Sequence, residues 1–288
     1  MRPKDLKTKI FLDSGDPAET KSVIEALGWL DGQTTNPSLV VKNTEAAARF
    51  ERGEKISEEE LLVFYKKIAQ EISGLIPNGS VSLEVYADNN TTAEQMFNQG
   101  EKLYQWIPNA HIKYPVTAEG LKAAEKSLAS GMRVNITLVF SQEQAAAVAI
   151  MGKNANQGDV FLSPFVGRLD DRGEDGMELI KNIITMYREN NSPVEVLTAS
   201  IRSIEHLKYA LALRSDILTA PYKALKEWVD NDRYLPDNDY QYPASGLKPI
   251  PVKSLDFSQS WDKYDLKHEL TDSGLDKFAA DWNKLIKM

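Results

Sequence analysis

Cysteine is absent from all 288 residues, which excludes disulfides, thiolate nucleophiles and thiolate metal ligands. Histidine is scarce. His111, His206 and His268 are the three in the chain, and their spacing fits no metal-ligand pattern. Long apolar runs are also missing: residues 145–151 have the look of a buried helix and fall far short of the ~18 needed to span a bilayer. The charged start, Met1 to Lys7, has no apolar segment behind it, so no signal peptide is expected and the expected compartment is the cytoplasm. Basic charge is in deficit, with 34 Lys and Arg against 42 Asp and Glu and a net charge of −8. That balance argues against nucleic acid or an anionic membrane as partner, yet leaves room for a local arginine pocket. The glycine patterns G-x-G-x-x-G and G-x-x-x-x-G-K-[ST] do not occur, so the usual dinucleotide and P-loop sites are not expected.

What is present is an alternation. Short apolar runs of β type cover 9–13, 33–36, 81–86, 110–115, 133–137, 160–163, 194–198 and 216–219. Helical spacing follows from Pro17, with Asp16 as N-cap, and over 58–72, 118–128, 142–151, 178–187, 204–213 and 224–229. Eight strands separated by helical stretches predict an α/β fold, a (β/α)8 or TIM barrel, over residues 1–236. From 237 the alternation breaks into a Pro-rich connector, and Leu275, Phe278, Trp282 and Leu285 then mark one face of a helix over 273–287. This C-terminal extension, 237–288, is expected to plug or flank the barrel; a lid or an oligomer contact is the alternative.

Parity along the strands separates two faces. Val81, Leu83 and Val85 oppose Ser82, Glu84 and Tyr86; Ile112 and Tyr114 oppose His111 and Lys113; Val134, Ile136 and Leu138 oppose Asn135 and Thr137; Ile10 and Leu12 oppose Phe11 and Asp13. The apolar face suits the outer helices and the polar face suits the barrel interior. A lysine at the end of a buried strand hides its stem while its ammonium loses water, and desolvation favours the neutral, nucleophilic amine. Singly, each of these is an ordinary strand-end residue, and Lys113 alone could snorkel into solvent. Asp13, Glu84, Lys113, Asn135 and Thr137 together would be costly to bury without mutual hydrogen bonding, and they point to catalysis. Ser163 with Arg168, and Ser200 with Arg202, add a hydroxyl and a guanidinium after two further strands, a pairing suited to phosphate. The acidic run Asp170, Asp171, Glu174 and Asp175 offers surface partners for Arg168 and Arg172, and is expected to cap a helix.

These stretches resemble the transaldolase family, class I Schiff-base enzymes on a (β/α)8 barrel. The matching segments begin at Phe11-Leu-Asp-Ser, Thr34-Thr-Asn-Pro-Ser-Leu, Val81-Ser-Leu-Glu-Val, Ile112-Lys-Tyr-Pro-Val-Thr, Val134-Asn-Ile-Thr-Leu-Val-Phe, Ser163-Pro-Phe-Val-Gly-Arg-Leu-Asp-Asp and Ala199-Ser-Ile-Arg, with His268-Glu-Leu-Thr-Asp-Ser-Gly-Leu near the end. The resemblance implies that Lys113 forms the Schiff base, that Asp13 is the acid/base at the C4 hydroxyl, and that Glu84 and Thr137 move protons during carbinolamine formation. It also implies that Asn36, Asn135 and Ser163 or Ser200 hold a dihydroxyacetone unit, with Thr35 and Phe165 as further substrate contacts, and that Arg168 and Arg202 clamp phosphate. No cofactor and no metal are implied. The implied partners are sugar phosphates alone; homodimer and monomer both stay open. Tyr114 stands where the family usually has an aliphatic residue, and its parity predicts outward packing.

The implied activity is transfer of a dihydroxyacetone unit between sugar phosphates of the pentose phosphate pathway. A sister group, the fructose-6-phosphate aldolases, releases dihydroxyacetone freely and typically carries Tyr in place of Phe165 and Gln in place of Glu84. A phenol could protonate the enamine and release product; a phenyl ring cannot, so Phe165 and Glu84 favour transfer. A relative acting on sulfonated sugars, and a non-catalytic sugar-phosphate sensor, are the remaining alternatives. The intact Lys113, Asp13 and Glu84 set argues against the sensor.

Overall fold

The computed structural model describes residues 2–36, 38, 39, 57–237, 239–284 and 286. Eight parallel strands close on themselves in sequence order: β1 (Lys9–Asp13), β2 (Gly32–Thr34), β3 (Ser80–Glu84), β4 (Ala110–Pro115), β5 (Val134–Val139), β6 (Val160–Pro164), β7 (Glu195–Thr198) and β8 (Ile217–Ala220). Around them run α1 (Pro17–Leu27), α2 (Glu58–Leu75), α3 (Ala93–Tyr104), α4 (Ala118–Ala129), α5 (Gln142–Met151), α6 (Val166–Asp170), α7 (Gly176–Glu189), α8 (Ile204–Ala212) and α9 (Tyr222–Asp230). The (β/α)8 expectation holds. Strand β2 is shorter than its sequence pattern, so Thr35 and Asn36 lie beyond it. Helix α3 escapes the periodicity because its sequence is largely polar and carries Gly100 in mid-run; Met96, Phe97 and Leu103 are the buried anchors.

Caps explain where the helices start. Asp16 accepts from the Ala18 N–H, while Ser57, Thr92 and Ser141 each form a reciprocal capping box. The acidic run caps α7 as expected: Asp175 accepts from the Met177 and Glu178 N–H groups, and Asp170 from that of Gly176.

Strand β4, which carries Lys113, is clamped from behind. Tyr114 points outward, fully buried, and its hydroxyl lies 2.9 Å from Ser127 Oγ. It fits because Gly100 has no side chain; a Cβ there would sit 2.0 Å from the phenol oxygen. Gly120 likewise lets α4 start against the strand, since a Cβ would lie 2.0 Å from the Pro115 carbonyl oxygen. The lysine therefore projects from a backbone with little room to move.

Below the site the barrel is filled. Phe11 meets Phe161 edge-on at 6.0 Å, and His111 stacks on Phe161 at 4.0 Å. His111 Nδ1 pairs with Ser80 and Nε2 with the Gly158 carbonyl, while burial pushes the imidazole pKa down to about 3. This histidine is neutral barrel filling. A Lys9–Glu195 ion pair of 2.9 Å lies at the same N-terminal end.

After α9 the chain runs along the barrel and ends in α10 (Glu269–Asn283). Leu285, expected on its apolar face, falls outside the described residues. Strand β5 makes a place for α10. Its register shifts between Ile136 and Val139, with Leu138 at φ +60°, a strained conformation for a γ-branched residue. The freed Leu138 carbonyl accepts from Thr271 Oγ1 at 2.9 Å, and Gln144 Nε2 donates to the same hydroxyl. Trp282, 2% exposed, packs against Tyr65 and Tyr86.

Candidate active site

The register brings the polar strand ends side by side. Glu84 pairs across to Lys113, Lys113 to Asn135, and Asp13 to Thr34. Lys113 and Glu84 are both nearly inaccessible, at 3% and 5% exposure, so neither charge can rely on water. Lys113 Nζ donates to the Thr35 carbonyl oxygen at 3.1 Å and lies 2.8 Å from Glu84 Oε2, close as charges but outside hydrogen-bond geometry. Burial pushes the Glu84 carboxyl above the usual carboxylate range; Lys113 and Arg168 pull it down without cancelling that cost, and Asp13 adds to it.

Support for the pair comes from α2. The Tyr65 hydroxyl accepts from the Glu84 N–H at 3.0 Å and lies 2.6 Å from Thr35 Oγ1, which donates to the Ser82 carbonyl oxygen. Burial holds the phenol well above its ordinary pKa, so it stays protonated. The Thr35 side chain is thus engaged in the wall, and it is the carbonyl that reaches the lysine. Tyr65 carries no motif and sits on a helix, so strand parity could not single it out.

On the other side of Lys113, Asn135 is held at both ends. Its Nδ2 donates to Ser82 Oγ at 3.1 Å, and its Oδ1 accepts from Ser163 Oγ at 2.7 Å. Thr137 is fully buried, and its Oγ1 has no hydrogen-bond partner among the described residues. Such an orphan costs about 1–3 kcal/mol, which suits a group kept for a ligand.

These strand ends open into a cavity of about 270 Å³. Of the residues singled out from sequence, Asp13, Asn36, Lys113, Ser163, Phe165, Arg168, Ser200 and Arg202 line it. Glu84, Thr35, Asn135 and Thr137 stand behind that lining. Thr34 and Thr219, whose hydroxyls lie 2.7 Å apart, line it too, and Thr34 Oγ1 donates to Asp13 Oδ1 at 2.8 Å. Thr34 was findable, since it ends β2 beside Thr35; Thr219 lies near the end of β8, a strand from which no residue had been singled out. Lys277 and Phe278 of α10 complete the wall, and nothing local in the sequence ties that helix to this opening.

The two arginines differ. Arg202 is half exposed and pairs with Asp171 at 2.7 Å. Arg168, for which the acidic run offered surface partners as the alternative to a phosphate, makes no ion pair among the described residues; its guanidinium lies 5.2 Å from the Phe165 ring and 5.3 Å from the Phe278 ring. Arg172 pairs instead with Glu269 of α10. Burial makes the Arg168 charge costly, Arg202 adds repulsion and Glu84 offsets part of it. The group remains cationic.

The loop and helix carrying the arginines are tied together. The Gly167 N–H donates to the Ser200 carbonyl, a Cβ on Gly167 would clash with that oxygen, and Ser200 takes φ +59° to make the turn. Asp170 accepts from Tyr242 at 2.6 Å and pairs with His206 Nε2 at 2.8 Å, while His206 Nδ1 accepts from the Arg202 N–H. Burial pushes the Asp170 carboxyl up, but its hydrogen bonds to His206, Tyr242 and Gly176 outweigh this and hold it below the usual range.

A buried amine beside a carboxylate, in a cavity with a second carboxylate and an arginine that makes no ion pair among the described residues, suits imine chemistry on a small anionic carbonyl compound. The family model for transaldolase/fructose-6-phosphate aldolase matches residues 10–288. The chain belongs to that family. Probable transaldolases of Dehalococcoides mccartyi and Alkaliphilus metalliredigens are 35% and 34% identical to it, each over 279 residues spanning 97% of this chain and all of the relative. A probable transaldolase of Brucella ovis is 35% identical over 276 residues, covering 96% of this chain and 97% of that protein. The family match thus runs essentially end to end, with α10 inside the matched region. Among the described residues no helix is long and apolar enough to cross a membrane.

Proposed function

We propose that this member of the family is a transaldolase. It moves a dihydroxyacetone unit from sedoheptulose 7-phosphate or fructose 6-phosphate to erythrose 4-phosphate or glyceraldehyde 3-phosphate, through a Schiff base on Lys113, in the cytoplasmic pentose phosphate pathway. The observation that carries this reading is the Lys113–Glu84 contact of 2.8 Å, buried at the edge of a cavity that also holds Asp13 and Arg168.

Moving one proton from Nζ to the Glu84 carboxylate frees the amine for attack, and the burial that raises the Glu84 carboxyl lowers the cost of that transfer. The free amine attacks the ketone carbon; Glu84 and Thr137 pass the protons by which the carbinolamine loses water. The iminium then draws electrons as Asp13 takes the C4 hydroxyl proton and the C3–C4 bond breaks. The product aldose departs, the enamine stays on Lys113, and an acceptor aldehyde is joined by the reverse steps. Hydrolysis of the last imine returns the amine.

Borohydride treatment in the presence of fructose 6-phosphate is expected to leave a three-carbon adduct on Lys113, read by peptide mass. Absence of any adduct would favour a sugar-phosphate sensor, and an adduct formed with a sulfonated ketose alone would change the substrate class. Phe165 lines the cavity and meets Phe140 edge-on at 5.8 Å. Phe165→Tyr is expected to raise dihydroxyacetone release relative to transfer, by placing a proton donor near the enamine. An unchanged ratio of the two activities would count against assigning transfer specificity to this ring.

A further inference from the structure

Helix α10 crosses the open end of the barrel, and its fixing points are specific. Thr271 is bonded to the Leu138 carbonyl, and Gly274 is pressed so closely on Arg168 that a Cβ would lie 2.5 Å from Nη1. Phe278 covers the guanidinium of the same arginine, and Trp282 is buried near the far end. Positions 274, 277, 278 and 281 share one helical face, so the contacts that seat Gly274 and Phe278 also bring Lys277 to the cavity, which it lines.

Lys277 is held loosely. Its Nζ lies 3.6 Å from Asp281, and its side chain is 62% exposed. Asp281 is already engaged by Ser38 Oγ and by Lys284 at 3.2 Å. The ammonium can swing to an anion without stranding a carboxylate. Deep in the cavity, Lys113 is matched by Glu84; at the mouth, Arg202 is matched by Asp171, while Arg168 has no ion-pair partner among the described residues. The mouth is therefore where added negative charge is best received.

We propose that Lys277 is a third anion-binding cation, presented by the C-terminal helix to the phosphate of whichever sugar occupies the cavity. This makes α10 a specificity element for phosphomonoester substrates. The assignment to a sugar rests on the transaldolase reading above; the anion site itself does not.

The test compares wild type with Lys277→Gln and Lys277→Arg, with circular dichroism and Tm checking that α10 is retained. Inorganic phosphate, titrated calorimetrically at low salt, is expected to bind Lys277→Gln about 3- to 10-fold more weakly than wild type, as befits a partly exposed cation, and Lys277→Arg nearly as well as wild type. In kinetics, KM for fructose 6-phosphate should rise by a similar factor while kcat changes far less, and KM for fructose should not move. Equal phosphate affinity in wild type and Lys277→Gln, or an equal KM change for both ketoses, overturns the proposal. If wild type binds phosphate more tightly than Lys277→Gln yet traps no adduct under borohydride, the transaldolase reading fails and the anion site stands.

Discussion

Lys113→Met is expected to abolish dihydroxyacetone transfer, by a factor on the order of 10⁴ or more, because the covalent route disappears with the amine. Stability should fall as well, and in a pH-dependent way. Removing one partner of a buried ion pair strands the other, at about 3–5 kcal/mol. Glu84 is the stranded group. Its carboxyl already lies above the usual range, and loss of the lysine removes the main pull downward. A carboxyl raised in the folded state makes that state hold more protons than the unfolded chain. Stability therefore falls as pH climbs from the ordinary glutamate value of 4.5 towards the raised folded one. The variant should lie closest to wild type at the acid end, near the ordinary glutamate value of 4.5, and fall further behind as pH rises. Urea unfolding across that range checks this, with Lys113→Met/Glu84→Gln as the control in which the slope flattens. A deficit of equal size at pH 5.5 and pH 8.5 would show that Glu84 is not the stranded charge.

Arg168→Met is expected to raise KM for a phosphorylated ketose far more than Arg202→Met does. Arg168 is mostly buried, lies near two aromatic rings and makes no ion pair among the described residues, so its charge is available to a ligand. Truncating one side of a buried, hydrogen-bonded charge pair costs about 2–5 kcal/mol, or roughly 30- to 5,000-fold in affinity. Arg202 is half exposed and already neutralised by Asp171, so its loss should cost about tenfold or less. Folding should separate the two effects. Burial of a cation that Glu84 offsets only in part disfavours the ligand-free fold, so Arg168→Met should leave stability unchanged or raise it. Arg168→Lys should restore little binding, because an ammonium fills neither the planar slot nor a bidentate fork. Steady-state kinetics with fructose 6-phosphate and with fructose, alongside thermal unfolding, provide the readout; a larger penalty at Arg202 would invert the assignment.

Both expectations depend on contacts that differ in how far the sequence reveals them. Period-two parity put Asp13, Glu84, Lys113, Asn135 and Thr137 on the inward face, and the closed barrel has them there, because alternation is a property of the local backbone. Tyr114 went outward for the same reason, and Gly100 and Gly120 made the room. Thr35 shows the limit: it lies past the end of β2, where alternation no longer applies, and its side chain turns into the wall while its carbonyl faces the lysine. Arg168 shows another. Its sequence neighbours are acidic, yet Asp170 is engaged by His206 and Tyr242, and Asp171 by Arg202.

The order of elements, the face each strand turns inward and the motif that marks the family follow from the sequence alone, since each depends on residues a few positions apart. Tertiary packing alone decided that Tyr65 braces Glu84, that a bulge at Leu138 receives Thr271, and that α10 closes over Arg168 to bring Phe278 and Lys277 to the cavity. Those contacts join residues far apart along the chain. They form only when the barrel closes and leaves a surface of the right shape, which no local period encodes.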